Sequence, residues 1–301
     1  MLRKRYVWKL KQRELLLGER TLIMGVVNVT PDSFSDGGKY YDPDRAYARA
    51  VELEDQGADI LDIGAESMRP GSKRISEQEE LRRLIPVLKR LRGKLTIPVS
   101  VDTYKSAVAD KALELGAEII NDPSGLTFDP LVVKSAVNYD AGLIVNHMRG
   151  TPETWARLGP LQDVVGAILQ DLAACVHRIQ HSGLDKERVV IDPGIGFGKR
   201  KEQNSEILAR LSELAWTGMP ILVGPSRKSF LSQSSEEGKL IATAAAVTAC
   251  ILGGAHIVRL HDVAELKPAI QVADSILAAD VDSRPQSPAP SRRHTRSPEA
   301  G

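Results

Sequence analysis

The chain has 301 residues, which is enough for one large α/β domain or two small ones. Only 4% of the residues are aromatic, so the core must consist of Val, Ile, Leu and Ala, which suits a buried parallel sheet covered by helices. The net charge is +1 overall and +3 from Ser283 onward, so the rest of the chain carries −2; this argues against nucleic acid as the main partner.

The two cysteines indicate a reducing compartment. Cys175 and Cys250 lie in apolar, helix-like stretches without the spacing of metal ligands, so we expect reduced, buried thiols. The N-terminal sequence lacks the apolar segment of a secretory signal, and no apolar run reaches a membrane-spanning length. We therefore expect a cytoplasmic protein without a membrane partner.

The chain divides into three segments. Residues 1–20 contain two short strand-like runs, at 7–10 and 14–17, which predict an N-terminal hairpin that closes one end of the domain. Residues 21–281 alternate strands with helices. Residues 282–301 are rich in Pro, Ser and Arg and predict a disordered tail.

The alternating segment contains eight apolar runs that predict buried strands. They are 22–29, 60–65, 98–103, 119–122, 142–147, 189–192, 221–224 and 257–261. Helix-like stretches follow them at 44–56, 76–91, 105–115, 131–137, 161–181, 203–214, 241–252 and 264–278.

Eight such units over about 250 residues are typical of a (β/α)₈ TIM barrel, an α/β fold. A doubly wound open sheet is the alternative, but it usually has fewer strands and a glycine-rich first turn. The first turn here reads VTPDS (29–33), which does not match that pattern.

Polar residues stand at the end of every predicted strand. They include Asn28, Asp62, Asp102, Asn121, Asn146, Asp192, Ser226 and Arg259. A single Asp at a strand end is more often a helix cap or a loop hydrogen-bond acceptor than a catalytic group, and Asp122 and Asp262 fit that description. Eight polar strand ends at one barrel mouth instead indicate a shared ligand, because buried polar groups need partners.

The two sides of this mouth suit different parts of a ligand. Arg259 and His261 are two residues apart on the last strand, and barrel closure brings Asn28 close to them. These groups suit a phosphate or diphosphate, and Asn28 can also ligate a divalent metal. On the other side, three acidic and amide side chains and a lysine suit a flat heterocycle such as a pterin or purine: Asp102, Asn121, Asp192 and Lys228.

The sequence motifs resemble those of the dihydropteroate synthase family over roughly residues 7–280. They are MGVVNVTPDSFSDGG (24–38), DIGAESMRPG (62–71), SVDT (100–103), INDPSG (120–125), HMRGTP (147–152), DPGIGFGK (192–199), SRKSFL (226–231) and AHIVRLHDV (255–263). The resemblance implies a TIM-barrel homodimer in folate biosynthesis, a sulfonamide target. It also implies the condensation of 6-hydroxymethyl-7,8-dihydropterin diphosphate with p-aminobenzoate, with release of pyrophosphate.

The resemblance also implies the site residues. The expected catalytic set is Asn28, Asp102, Asp192, Lys228, Arg259 and His261. The expected pterin-binding set is Asp102, Asn121, Asp192 and Lys228. Asn28, Arg259 and His261 would bind the diphosphate and Mg²⁺, with Asn28 as the metal ligand. Two glycine-rich closing loops, 30–38 and 64–71, can cover a bound ligand. Substrate contacts at the p-aminobenzoate side and in these closing loops are expected from Thr30, Phe34, Arg69, Pro70, Phe197 and Ser229.

The sequence departs from the family pattern at several positions. Thr or Ser usually occupies the position of Met68, an apolar residue that of Asn146, and an aliphatic residue that of Pro123; segment 232–239 is also short. We expect Met68, in the second closing loop, to change p-aminobenzoate or sulfonamide affinity rather than to abolish turnover.

Two other functions stay open from the sequence. One is a pterin-binding module of a corrinoid-dependent methyltransferase. The predicted phosphate-binding groups argue against it, namely Asn28, Arg259 and His261, and so does the SRKSF motif. The other is a relative that keeps the barrel as a binding module without catalysis. Binding of the pterin diphosphate, followed by a pyrophosphate-release assay, separates all three functions.

Overall fold

The computed structural model describes residues 3–30 and 42–282. Residues 31–38 of the first closing loop, with Phe34, and almost all of the predicted tail lie outside the described residues.

The described chain contains an N-terminal hairpin followed by eight strand–helix units. The hairpin strands are β1 (Tyr6–Lys9) and β2 (Glu14–Leu17). The remaining strands are β3 (Leu22–Asn28), β4 (Ile60–Gly64), β5 (Val99–Asp102), β6 (Ile119–Asp122), β7 (Gly142–Asn146), β8 (Val189–Asp192), β9 (Leu222–Val223) and β10 (Ile257–Leu260). The helices are α1 (Pro43–Gln56), α2 (Glu77–Leu91), α3 (Ser106–Glu114), α4 (Val132–Asn138), α5 (Val164–His181), α6 (Lys201–Ala209), α7 (Glu236–Leu252) and α8 (Val263–Asp282).

Strands β3 to β10 form one parallel sheet in the order β8-β7-β6-β5-β4-β3-β10-β9. A parallel bridge between Ile191 and Ile221 joins the two ends of that sheet, and the Ile191 N–H donates to the Pro220 carbonyl at 3.0 Å. The sheet is therefore closed, and the predicted TIM barrel with a short hairpin is confirmed.

The alternation of side chains along each strand separates two cores. Leu61 and Ile63 of β4 face the helices and belong to the large core between barrel and helices. Ile60 faces the barrel interior, where it packs with inward residues of the other strands. Asp62 shares the parity of Ile60, so the strand carries its charged side chain into the barrel.

The N-terminal hairpin closes the end of the barrel opposite the strand C-termini. The fully buried Trp8 and Leu17 pack with Leu22 and Ile257, the inward residues at the starts of barrel strands. The Trp8 indole N–H donates to the Arg188 carbonyl at 3.0 Å, which satisfies its polar atom. The predicted closing role of this hairpin is confirmed.

Helix starts and ends follow local chemistry. Ser76 caps α2 by accepting the Glu79 N–H at 3.2 Å, and Asp163 caps α5 by accepting the Gly166 N–H at 3.0 Å. The stretch predicted as one helix at 203–214 is instead α6 followed by a 3₁₀ helix at Leu211–Thr217. Both helix types place residues i and i+3 side by side, so apolar periodicity does not distinguish them.

Within residues 3–30 and 42–282, we find no helix both long and apolar enough to span a lipid bilayer. Cys175 and Cys250 are buried and unbridged, as the sequence predicts.

Candidate active site

The inward side chains at the C-terminal ends of the strands surround one cavity. Its lining residues come from six strands or the loops that follow them: Asp102, Asn121, Pro123, Asn146, Asp192, Ile195, Phe197, Gly224, Lys228 and Arg259. This is the end of a TIM barrel at which active sites lie.

Arg259 holds two carboxylates together across the barrel. Its Nε donates to Asp62 Oδ2 at 2.6 Å, and one terminal nitrogen donates to Asp102 Oδ2 at 2.9 Å. Asn121 also donates to Asp62 Oδ2, at 3.1 Å. Asp62 has no exposed side-chain area, so this cationic partner is what permits its burial as a carboxylate.

The titratable groups of the pocket have shifted pKa values. Burial raises the pKa of Asp102 to about 7, although Arg259 opposes the shift, and raises the pKa of Asp192 to about 6. Burial, with repulsion from Arg259, lowers the pKa of Lys228 to about 8. Such values place proton exchange and charge changes near neutral pH, as is common at functional sites.

His261 and Asn28 lie at the adjoining strand ends. The Ser226 hydroxyl lies 3.0 Å from His261 Nδ1, and Arg49 donates to the His261 carbonyl at 2.8 Å. Burial and nearby Arg259 lower the pKa of His261 to about 4, so the imidazole is neutral at pH 7. Asn28 is half-buried at the end of β3. It lies an even number of residues after the inward-facing Met24, so it is on the same face of the strand.

Lys199 fixes the glycine-rich loop that follows β8. Its ammonium donates to the carbonyls of His147, Pro193 and Gly194 at 2.6, 2.9 and 2.7 Å. Gly194 has a φ of +70°, and a Cβ there would lie 2.0 Å from the His147 carbonyl oxygen, so only glycine fits.

The same loop carries Phe197 into the pocket. The Phe197 ring packs edge-on against Trp155 at 5.4 Å, and Lys228 Nζ lies 4.3 Å from the ring centre. This contact places an aromatic face beside the titratable amine.

A buried charge network anchors the loop that follows β4. Lys105 Nζ contacts Glu66 at 2.5 Å and also Glu80, and the Tyr104 hydroxyl donates to Glu66 at 2.9 Å. Side-chain exposure is 10% for Lys105, 6% for Glu66 and 1% for Glu80, so water does little to screen these charges.

That loop contains the predicted Arg69 and Pro70. Both are exposed, and Met68 is half-buried. The adjacent Gly71 N–H donates to the Pro152 carbonyl at 2.9 Å, which joins this loop to the one after β7.

The structure brings most of the predicted residues to one mouth. Those that line the cavity are Asp102, Asn121, Asp192, Phe197, Lys228 and Arg259. Asn28, Thr30 and His261 lie at neighbouring strand ends, whereas Ser229 is exposed at the start of a 3₁₀ turn, Ser229–Leu231. Asp122 accepts hydrogen bonds within its own loop from Ser124 and Leu126, as expected of a structural residue.

Asp62 was predicted at the barrel mouth but was given no role, and Glu66 and Lys105 were not predicted as site residues. Asp62 stands inside the apolar run ILDIG at a position whose side chain points into the barrel. Glu66 and Lys105 have no such signal, since their pairing joins two loops that are distant in the sequence.

Comparison with known proteins agrees with this geometry. The model of a family described as "Pterin binding enzyme" matches residues 24–261. A dihydropteroate synthase of Synechocystis sp. is 43% identical over 263 residues, 86% of this chain and 91% of that protein.

Two solved structures are similar over most of their length. The Yersinia pestis dihydropteroate synthase in a sulfonamide drug complex has a TM-score of 0.84 and 35% identity, covering 90% of this chain and 99% of that one. The Xanthomonas albilineans dihydropteroate synthase with 4-aminobenzoic acid has a TM-score of 0.83 and 36% identity, covering 94% of this chain and 100% of that one.

The fold, the pocket and these matches define a barrel enzyme that binds pterins. The chain belongs to the pterin-binding enzyme family, and within it to the dihydropteroate synthases. Its activity is therefore the folate-biosynthesis transfer that joins 6-hydroxymethyl-7,8-dihydropterin diphosphate to p-aminobenzoate and releases pyrophosphate.

Proposed function

We propose that the mouth of this barrel binds the pterin ring on one side and the leaving diphosphate on the other. The observation that carries this proposal is the convergence of Asp102, Asn121, Asp192 and Lys228 on the cavity that Arg259 spans. Carboxylate and amide acceptors suit the N–H-rich edge of a pterin, and the lysine suits its carbonyl or ring nitrogen.

Asp192 is assigned to the guanidine-like edge of the pterin. Its Oδ1 accepts the Gly194 N–H at 2.7 Å, which fixes the carboxylate against the loop. A carboxylate held there stabilises positive charge in the ring as the diphosphate leaves. The electron pair of the methylene C–O bond goes to the diphosphate, and the arylamine nitrogen then forms the new C–N bond and loses a proton.

Arg259 and His261 are assigned to the leaving diphosphate. A guanidinium has five N–H groups, so Arg259 can hold its two carboxylates and still donate to phosphate oxygens. The neutral His261, with Ser226 beside Nδ1, can donate from Nε2 to the same group. These donors stabilise the charge that develops on the leaving group.

Mg²⁺ fits this site as a substrate-linked ion. In the described part of the chain, no group of three or more His, Cys, Asp and Glu side chains could hold a metal. A single amide ligand from Asn28 is compatible with Mg²⁺, which often takes most of its ligands from phosphates and water. When bound there, Mg²⁺ supplies positive charge against the diphosphate.

The arylamine side is assigned to the groups around Phe197. Phe197 lines the cavity, and Arg69, Pro70 and Ser229 lie on exposed loop positions from which they can cover a bound arylamine. Thr30 and Phe34 are assigned to the covering loop after β3, of which only Thr30 is described.

The function is tested by calorimetric binding of the pterin diphosphate and by pyrophosphate release on addition of p-aminobenzoate, each with Mg²⁺ and after chelation. We expect tight binding and release that both depend on Mg²⁺. Binding without release would contradict the synthase and favour a binding module, and folate binding without release would favour the methyltransferase alternative.

The pH dependence of kcat/KM for the pterin diphosphate follows from three shifted groups. Burial raises the pKa of Asp192 to about 6 and that of Asp102 to about 7, so each carboxylate is protonated and lost as an acceptor below its pKa. The pKa of Lys228 is lowered to about 8, so above that pH the ammonium loses its proton. We expect a bell-shaped profile with its maximum between about pH 7 and pH 8.

This profile is measured by initial rates at saturating p-aminobenzoate, with Asp192→Asn as the comparison. The variant should lose activity, and its acidic limb should become less steep because only Asp102 still titrates there. An acidic limb of unchanged steepness in Asp192→Asn would show that Asp192 does not contribute to it.

We also propose that the chain is a cytoplasmic homodimer that pairs through α7 and α8. These helices pack against each other and leave apolar side chains exposed: Ile241 by 62%, Val272 by 60% and Ile276 by 49%. A two-fold pairing would cover this face with its own copy. The free cysteines support a reducing compartment.

The dimer proposal is tested by light scattering on Val272→Asp. We expect the wild-type mass to be twice 32.8 kDa and the variant to shift toward the monomer mass. Trp216→Asp is the control, because Trp216 is 87% exposed but lies outside these helices, and it should leave the mass unchanged. A monomeric wild type would contradict the proposal.

A further inference from the structure

Asn146 places a carboxamide in the wall of the pterin pocket, where the family pattern has an apolar residue. Its residue exposure is only 3%, and it lines the cavity together with Asp192. Nδ2 donates to the Pro123 carbonyl at 2.7 Å, which fixes the orientation of the amide. Oδ1 is buried and has no hydrogen-bond partner among the described residues. A buried acceptor without a donor is rare in folded proteins and points to a partner that arrives with the ligand.

The nearest cation does not provide that donor. Asn146 Oδ1 and Lys199 Nζ both lie 2.8 Å from the point where a Cβ on Gly194 would stand. A lysine ammonium has three N–H groups, and those of Lys199 already donate to three backbone carbonyls. The acceptor of Asn146 is therefore left for another N–H group.

The position of Asn146 beside Asp192 indicates which ligand group this is. The two residues are register partners on β7 and β8, so their side chains emerge on the same side of adjacent strands. Asp192 is assigned above to the guanidine-like edge, whose exocyclic amine carries two N–H groups.

We propose that Asn146 Oδ1 accepts an N–H of the exocyclic 2-amino group and is a specificity-determining residue for 2-amino pterins. This inference rests on the proposed pterin site. An apolar side chain at this position would tolerate the loss of the amino group, whereas a buried acceptor penalises it because the oxygen is left unpaired.

The test compares two probes by calorimetry, pterin and 4-oxopteridine, which lacks the 2-amino group. Wild type, Asn146→Met and Asn146→Leu are measured with both. We expect Asn146→Met to reduce the preference for pterin by about 5- to 10-fold relative to wild type. Asn146→Leu keeps the branched shape of asparagine without its polar atoms and should reduce the preference to the same extent.

The outcomes separate this inference from the proposed function. Failure of wild type to bind pterin would overturn the pterin site itself and the inference with it. Binding by wild type with an undiminished preference in Asn146→Met would overturn only the role of Asn146. Where Asn146→Met does not fold, Asn146→Leu decides: a reduced preference supports the acceptor role, and an undiminished preference overturns that role.

Discussion

Replacing Arg259 with Met is expected to lower kcat/KM for the pterin diphosphate by about 10²–10³-fold or more. The guanidinium is the cation between Asp62 and Asp102 and the proposed donor to the leaving diphosphate. Its removal leaves Asp62 buried without a cationic partner, so the variant should also lose about 3–5 kcal/mol of stability. Steady-state kinetics and urea unfolding measure the two losses separately.

Two further variants separate the loss of activity from the loss of stability. Arg259→Met combined with Asp62→Asn removes the unpaired charge, so it should recover stability without recovering activity. Arg227→Met is the control, because Arg227 is 47% exposed and pairs with Asp262 outside the cavity; it should change kcat/KM by less than about threefold. Activity of Arg259→Met within tenfold of wild type would contradict the assigned role.

The architecture could be predicted because each strand repeats one pattern. A continuous apolar run fills each strand and a polar residue follows at or near its end, and that pattern distinguishes a barrel mouth from its core. The hairpin could be predicted as a closing element from its apolar positions, and Trp8 and Leu17 are indeed fully buried. Boundaries were less accurate where a strand is short, as at β9, which spans only Leu222–Val223.

The pocket was predicted only in part. Ligand-binding residues can be recognised in a sequence from their type and their position at a strand end, whereas supporting residues can be recognised only from their contacts in the folded structure. Asp102 and Asp192 stand at strand ends, where the fold exposes them to a ligand. Lys199 lies in a recognisable motif, yet its three carbonyl contacts depend on how two loops meet. Such contacts between distant segments leave no periodic signal in the sequence.

Lys105 shows how large the effect of such a supporting contact should be. Its ammonium is the cation between the buried carboxylates of Glu66 and Glu80, and burial already raises the pKa of Glu80 despite that cation. We expect Lys105→Met to destabilise the protein by about 3–5 kcal/mol, because two carboxylates are left buried without a cationic partner. Thermal unfolding should show a Tm lower by about 10 °C.

The same change should act on the second closing loop, since Glu66 anchors it through Lys105 and Tyr104. We expect the KM for p-aminobenzoate to rise by more than that for the pterin diphosphate, because neither Glu66 nor Lys105 lines the pterin cavity. Lys105→Met combined with Glu66→Gln and Glu80→Gln removes the unpaired charges and should restore most of the stability, but not the loop position. Lys111→Met is the matched control, because its pair with Glu114 is exposed and worth about 1 kcal/mol or less. A Lys105→Met variant as stable as that control would show that the two carboxylates take up protons or water at little cost, and the network would then have no anchoring role.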